Sequence, residues 1–213
     1  MDIALITIFC TSFVLALSGA VMPGPLLTVT ISESSKRGGV TGPLVIFGHG
    51  LLELVLIAGL LSGLAPFLVR DDVFIFISLI GSAVLLWMGI GMLRSLSGLR
   101  LEYDPPSEKT KNLIIVGIVL SLINPYWLIW WASIGLGYIM HSFKFGLIGI
   151  AAFFAGHILA DLAWYSIVSF GIARGRHLLS NSVYRKLIGG CASFLILFSC
   201  WFFYNGFQKI VTL

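Results

Sequence analysis

Residues 38–69, GGVTGPLVIFGHGLLELVLIAGLLSGLAPFLV, form an apolar run whose only ionisable side chains are His49 and Glu53. The hydrocarbon core of a bilayer is about 30 Å thick, and about 20 helical residues cross it. Inside lipid every backbone amide needs a partner within the protein, so a run of this length forms a helix. The stretch therefore predicts a membrane-spanning helix that carries two polar side chains into the bilayer.

The composition of the whole chain indicates the same environment. Its 213 residues are 58% hydrophobic and 10% charged, with a mean hydropathy of +1.03. A soluble domain carries charge on about a quarter of its residues, so this composition excludes an ordinary soluble domain. The formal charge of +4 lies in segments between apolar runs, which is typical of membrane topology signals and not of nucleic-acid binding.

Six apolar runs are long enough to cross a bilayer. They cover residues 3–32, 38–69, 73–93, 113–140, 145–173 and 187–208. We therefore expect an all-α membrane protein with a single membrane domain over residues 1–213. Within it we expect two repeats of three helices, at about 1–100 and 111–213, joined by a polar linker at about 101–110.

The basic residues lie mainly on one side of this predicted topology. Ten Lys and Arg residues follow the first, third and fifth runs, and three lie on the opposite side. The ten are Lys36, Arg37, Arg94, Arg100, Lys109, Lys111, Arg174, Arg176, Arg185 and Lys186. Since basic loops face the cytoplasm, we expect both termini outside, in a multi-pass protein of the cytoplasmic (cell inner) membrane.

Three short motifs recur in the same order in the two halves of the chain. Each half has a proline break in its first run, a Gly-His motif followed by an acid in its second, and an Ile-Gly pair in its third. They are Pro23-Gly24-Pro25, Gly48-His49 with Glu53, and Ile80-Gly81, then Asn124-Pro125, Gly156-His157 with Asp161, and Ile188-Gly189. Because three spans is an odd number, the second repeat is predicted to be inverted relative to the first, as in many secondary transporters.

The proline breaks predict a substrate-binding region. Proline removes an amide donor and clashes with the preceding turn, and the exposed backbone groups are costly in lipid unless they line a wet cavity or bind a polar ligand. The helix N-terminus after each break also favours a carboxylate. The candidate residues are Pro23, Gly24, Pro25, Asn124, Pro125 and Tyr126. The alternative is that each proline only kinks an ordinary membrane helix.

The two His–acid pairs form the second candidate site. An ionisable side chain at the centre of a membrane helix costs about 3 kcal/mol or more, so it normally marks function. A spacing of four places His49 and Glu53 on one helical face, and likewise His157 and Asp161. Histidine exchanges protons near neutral pH, so we assign these pairs to proton or cation coupling. The alternative is an internal ion pair that only ties helices together.

Aromatic residues follow the second break at Tyr126, Trp127, Trp130 and Trp131. They could line a substrate path or anchor a helix near the membrane interface. Packing or anchoring is the interpretation we favour.

Taken together, these motifs resemble those of the lysine-exporter (LysE-type) translocator family, which includes homoserine and threonine resistance proteins. The resemblance covers essentially the whole chain through the Pro23-Gly24-Pro25 and Asn124-Pro125 breaks, the glycine-rich second run and the basic loops. It implies export of amino acids or related compounds across the cytoplasmic membrane, driven by an ion gradient. In many relatives a Lys follows the Asn-Pro pair, whereas Tyr126 stands here.

We therefore expect a secondary transporter that exports amino acids or related small polar metabolites by proton-coupled antiport. The alternative is a divalent metal-ion exporter in which His49, Glu53, His157 and Asp161 close around one cation. We expect no enzymatic activity, no catalytic residues and no cofactor, since no nucleophile motif is present. The expected partners are the substrate, H⁺ and the lipid bilayer, with no nucleic acid and with a homo-oligomer left open.

Overall fold

A computed structural model describes residues 2–68, 70–98, 112–175 and 180–212, and every regular element in these ranges is helical. The helices are α1 (Asp2–Ala20), α2 (Pro25–Arg37), α3 (Thr41–Gly59), α4 (Ala65–Leu68), α5 (Asp71–Ser95), α6 (Leu113–Leu122), α7 (Pro125–Trp130), α8 (Leu136–Phe143), α9 (Gly146–Gly175) and α10 (Asn181–Val211). Wider turns, Leu60–Leu64 and Trp131–Gly135, join α3 to α4 and α7 to α8. The predicted all-α class is confirmed, and the linker predicted at 101–110 lies outside the described residues.

Five helical segments of the described chain are long and apolar enough to cross a membrane. They are Ile3–Ala20, Thr41–Phe67, Asp71–Gly98, Gly146–Gly175 and Asn181–Val211. A sixth span results if Leu113–Leu122 and Pro125–Phe143, which are bent by 64°, are counted as one broken helix. The chain is therefore a multi-pass membrane protein, in agreement with the predicted spans.

The outer surface of the bundle is covered by apolar side chains. Ile3, Val55 and Trp87 are 82%, 70% and 76% exposed, respectively. A continuous apolar surface of this kind is unfavourable in water and suits contact with lipid tails.

Both proline motifs interrupt a helix, as predicted. In the first, α1 ends at Ala20 and α2 begins at Pro25, where a missing N–H costs little. Gly24, whose backbone is extended (φ −150°, ψ −178°), immediately precedes α2 and has no side chain that could cap it. In the second, the Asn124 side chain caps α7 by accepting the Tyr126 N–H at 3.1 Å. The helices that follow the two breaks therefore begin differently, because a side chain caps α7 and none caps α2.

The bundle is organised by close pairs of helices. α5 packs along α10, α1 along α9, and α3 along α6. A Cβ on Gly48 would lie 2.0 Å from the Ile114 carbonyl oxygen, and one on Gly156 would lie 2.3 Å from the Phe9 carbonyl oxygen. Small residues allow such backbone contact between membrane helices. Gly48 and Gly156 hold the same place in the two Gly-His motifs, so the α3–α6 and α9–α1 contacts correspond.

Candidate functional site

The two His–acid pairs, which lie on α3 and α9, meet inside the bundle. The Nε2 atoms of His49 and His157 each lie 3.0 Å from Glu53 Oε1. The same atoms lie 3.7 and 3.5 Å, respectively, from Asp161 Oδ2. Glu53 is 0% exposed and the other three side chains are nearly as buried. The predicted pairs therefore form one four-residue cluster, not two separate sites.

Glu53 is held more tightly than the sequence suggested. Its Oε1 also accepts hydrogen bonds from Trp127 Nε1 at 3.2 Å and Trp131 Nε1 at 2.9 Å. An indole N–H can only donate, so both tryptophans hold this oxygen as an acceptor. The aromatic residues after the second break were assigned to packing or anchoring, and they do belong to the core. Their role as donors was missed, although a buried indole N–H normally needs a partner.

Asp161 is held less tightly. Its Oδ2 is buried and has no hydrogen-bond partner within the described part of the chain. The two imidazoles that face it are both closer to Glu53. A buried carboxylate oxygen without a hydrogen bond is costly unless it gains a proton or a cation. Glu53 Oε2 is likewise buried without a hydrogen-bond partner among the described residues. The two carboxylates therefore differ in the four nitrogen atoms that surround Glu53 Oε1, and each keeps one oxygen with capacity for a further partner.

Ser121, at the end of α6, is a site residue that no sequence motif indicated. Its Oγ lies 2.7 Å from His49 Nδ1 and donates to the Gly117 carbonyl oxygen at 2.7 Å. A lone serine in an apolar helix gives no local signal of such a contact, because the contact depends on how α6 packs against α3.

A cavity opens beside the cluster, between the two helix breaks. Pro23, Gly24, Asn124 and Tyr126 of the predicted substrate-binding set line it, together with all four residues of the cluster. Its volume is about 70 Å³, against roughly 10–15 Å³ for one water by the same measure. The cavity can therefore hold several waters or a small polar molecule.

The two remaining break residues, Pro25 and Pro125, are not among the residues that line the cavity. Pro25 and Pro125 are buried in the first turns of α2 and α7. A Cβ on Gly81 would lie 2.2 Å from Pro125 Cβ, so the second break packs directly against α5. This contact links the Asn-Pro motif to the Ile-Gly motif, which the sequence presented as separate features.

The far wall of the cavity comes from α5 and α10. Leu85, Phe194, Leu195 and Phe198 line it. Tyr126 contacts Phe198 edge to face, with ring centroids 5.3 Å apart. The α10 residues among them were not predicted, because the part of α10 between Lys186 and Lys209 has no charged side chain and offers no pattern that separates lining from lipid-facing positions.

The cluster also has the composition of a metal site. One ligand atom from each of His49, Glu53, His157 and Asp161 lies within 4.8 Å of the others. Two imidazoles and two carboxylates could coordinate a divalent cation. The indole N–H groups of Trp127 and Trp131 point at Glu53 Oε1, however, and a donor in that position competes with a metal for the same lone pairs.

Comparison with known proteins gives one family and two relatives. A model of the LysE type translocator family matches residues 17–206. The "Putative amino acid efflux protein YcgF" of Bacillus subtilis is 25% identical over 211 residues, which cover 96% of this chain and 99% of the relative. The "Chemotactic transduction protein ChpE" of Pseudomonas aeruginosa is 26% identical over 170 residues, covering 75% of this chain and 79% of the relative. No solved structure matches the chain.

Proposed function

The chain belongs to the LysE type translocator family, and we propose that it exports amino acids or related small polar metabolites across the cytoplasmic membrane in exchange for protons. Members of the family are translocators, so the chain is a transporter. The full-length similarity to a Bacillus subtilis protein named for amino acid efflux supports this choice of cargo. The relative named for chemotactic transduction suggests no cargo of its own.

The observation that carries the proposal is the position of the His–acid cluster. Four buried ionisable side chains line a cavity that also touches both broken helices. Buried ionisable groups in a membrane protein are costly and are found along ion and substrate pathways. A site that combines titratable groups with interrupted helices is what an antiporter requires, because substrate and coupling ion must be bound in turn at one place.

We assign different roles to the two carboxylates. Glu53, with four nitrogen atoms around Oε1, is the fixed negative charge that holds both imidazoles. Asp161, whose Oδ2 has no hydrogen bond in the described structure, is the exchangeable site. In the outward-facing state it takes a proton, and in the inward-facing state a substrate ammonium replaces that proton. A proton and a substrate ammonium each neutralise the Asp161 carboxylate, which limits the cost of burying that carboxylate in both states.

Alternating access is proposed to follow from an inverted repeat. The matched contacts of Gly48 with Ile114 and of Gly156 with Phe9 support it, since they recur at equivalent positions of the two halves. Rocking of one three-helix unit against the other would expose the cavity to each side in turn. The one-sided distribution of basic residues supports a topology with both termini outside the cell.

Substrate-resolved efflux from proteoliposomes tests the function. Purified protein is reconstituted with a mixture of the common amino acids inside, and efflux is measured by mass spectrometry with and without a higher external proton concentration. We expect efflux of selected amino acids that accelerates with the gradient. Asp161→Asn should abolish it, while Asp72→Asn, at an exposed position outside the cavity, should retain it. A rate of amino-acid efflux that is the same with and without the proton gradient would contradict proton coupling.

Divalent metal is the second candidate cargo, because the four ligand atoms of the cluster lie close together. The same vesicles loaded with Zn²⁺, Mn²⁺ and Co²⁺ distinguish the two cargoes. We expect no release of metal above that from metal-loaded vesicles that contain no protein. Metal efflux that is lost in His49→Ala, with no amino-acid efflux, would replace the first proposal by the second.

A further inference from the structure

One side of the cavity carries a hydrogen-bond donor without an acceptor. Trp130 is only 6% exposed, and its Nε1 has no hydrogen-bond partner among the described residues. Nε1 lies 3.7 Å from where a Cβ on Gly19 would sit, next to the first helix break. A buried N–H of this kind is costly to leave unpaired. It is therefore available to an acceptor group of a molecule in the cavity.

The N-terminus of α2 faces the same region. Gly24 and Leu26 line the cavity, and Gly24 provides no side chain to cap the 13-residue helix. The first N–H groups of a helix have no acceptor within it, and they favour an anion. The α7 N-terminus differs, because the Asn124 side chain already accepts from it. The orphan indole and the uncapped helix thus form an anion-binding corner.

The imidazole of His157 lies between this corner and Asp161, whose Oδ2 has no hydrogen bond in the described structure. The rings of Trp130 and His157 have centroids 4.8 Å apart, and His157 Nε2 lies 3.5 Å from Asp161 Oδ2. Trp130, whose N–H lacks an acceptor, and Asp161, whose Oδ2 lacks a donor, therefore both contact His157. This arrangement complements a small zwitterion, in which the ammonium and carboxylate groups are attached to one carbon.

The rest of the cavity wall is apolar and aromatic. Tyr126 and Phe198 meet edge to face, and Phe194 stacks on Phe198 with ring centroids 5.4 Å apart. Among the described residues that line the cavity, none is Lys or Arg. An acidic substrate side chain would have no Lys or Arg partner there, and both imidazoles that line the cavity already face Glu53. A basic side chain would bring a second cation to a cluster whose carboxylates already face two imidazoles.

We propose that the cavity selects neutral α-amino acids with apolar or aromatic side chains. The substrate carboxylate accepts from Trp130 Nε1 and the α2 N-terminus, its ammonium contacts Asp161, and its side chain packs against Tyr126, Phe194 and Phe198. This assignment rests on the proposed export of amino acids and adds the substrate class and the residues that select it.

Competition with substrate analogues tests the carboxylate site. Efflux of radiolabelled leucine from proteoliposomes is inhibited by leucine and by leucinamide, which lacks the carboxylate, both present inside the vesicles. In the wild type we expect leucinamide to inhibit about tenfold more weakly, the usual value of a hydrogen bond to a charged group. Trp130→Phe keeps an aromatic ring and removes the N–H, so it should weaken inhibition by leucine about tenfold. It should weaken inhibition by leucinamide less, because the amide carbonyl is an uncharged acceptor. The matched control is Trp87→Phe on the lipid-facing surface.

The outcomes separate this inference from the function on which it rests. If no amino acid is exported, both the proposed function and the proposed substrate class are wrong. If glutamate or lysine is exported as fast as leucine, the substrate class is wrong and the proposed export of amino acids is retained. If Trp130→Phe weakens leucine and leucinamide equally, the indole N–H does not bind the carboxylate, and the ring has only a packing role. Phe198→Ala, which should lower the preference for leucine over alanine, provides a second readout if Trp130→Phe does not fold.

Discussion

His49 Nδ1 lies 2.7 Å from Ser121 Oγ, so the two ring nitrogens of this imidazole face different partners. The same hydroxyl lies 2.7 Å from the Gly117 carbonyl oxygen, to which it can donate. When it does so, Nδ1 is the donor in its contact with Ser121. His49 Nε2 faces Glu53 Oε1 at 3.0 Å. A serine outside every recognised motif thus links the α6 backbone to the imidazole beside the carboxylates.

Removal of this hydroxyl should impair transport. In Ser121→Ala, Nδ1 loses its hydrogen-bond partner, so only the carboxylates of the cluster hold the His49 imidazole in place. We expect the initial rate of proton-driven efflux to fall about tenfold and its pH dependence to change. Ser121→Thr keeps a hydroxyl and should retain more than half of the rate. Equal loss in both variants, with an unchanged pH profile, would show that the position matters only for packing.

The two carboxylates should differ in their effect on stability. Glu53→Gln removes the charge that faces two imidazoles and two indoles, so thermal unfolding in detergent should shift down by roughly 6–12 °C. Asp161→Asn changes a side chain whose Oδ2 has no hydrogen bond in the described structure, and its unfolding temperature should stay close to that of the wild type. Both variants should lose efflux. A larger loss of stability in Asp161→Asn would reverse the assigned roles.

Close contact between α3 and α6 should be sensitive to a single methyl group. Gly48→Ala would place Cβ 2.0 Å from the Ile114 carbonyl oxygen, and relief of this overlap costs about 1–3 kcal/mol. We expect a lower unfolding temperature and reduced efflux. Gly137→Ala is the matched control, since a Cβ there meets no atom within 4 Å. An unfolding temperature for Gly48→Ala equal to that of this control would contradict the described packing.

The orientation of the chain can be measured by labelling. In a variant without Cys10, Cys191 and Cys200, single cysteines are placed at Thr212 and Ser182, both exposed near opposite ends of α10. Because the basic residues flank the Ser182 end, a membrane-impermeant maleimide should label intact cells at position 212 and not at 182. The reverse pattern would place the termini in the cytoplasm and contradict the predicted topology.

The sequence predicted the features that depend on local chemistry. Proline chemistry located both breaks, and the spacing of four placed His49 with Glu53 and His157 with Asp161 before any contact was known. The different roles that we propose for the two carboxylates were not predictable. They depend on the contacts that Trp127 of α7 and Trp131 of the following turn make with Glu53, and these contacts result from the packing of helices that are distant in sequence.

The aromatic residues that line the cavity could not be fully predicted from the sequence either. Phe194 and Phe198 belong to a stretch of α10 that has no charged side chain between Lys186 and Lys209, so periodicity could not separate cavity-lining from lipid-facing positions. Trp130 was recognised as part of an aromatic group, but only the structure shows that its N–H lacks a partner among the described residues. Lipid removes the contrast between inner and outer faces on which sequence patterns depend.

Proton release on substrate binding tests the central claim, that a proton and a substrate ammonium compete for Asp161. Purified protein in detergent is titrated with the amino acid identified by efflux, by calorimetry in buffers that differ in ionisation enthalpy. The account predicts release of up to about one proton per substrate bound, and no substrate-linked release in Asp161→Asn. Tight binding without proton release in the wild type, or the same release in Asp161→Asn, would contradict it.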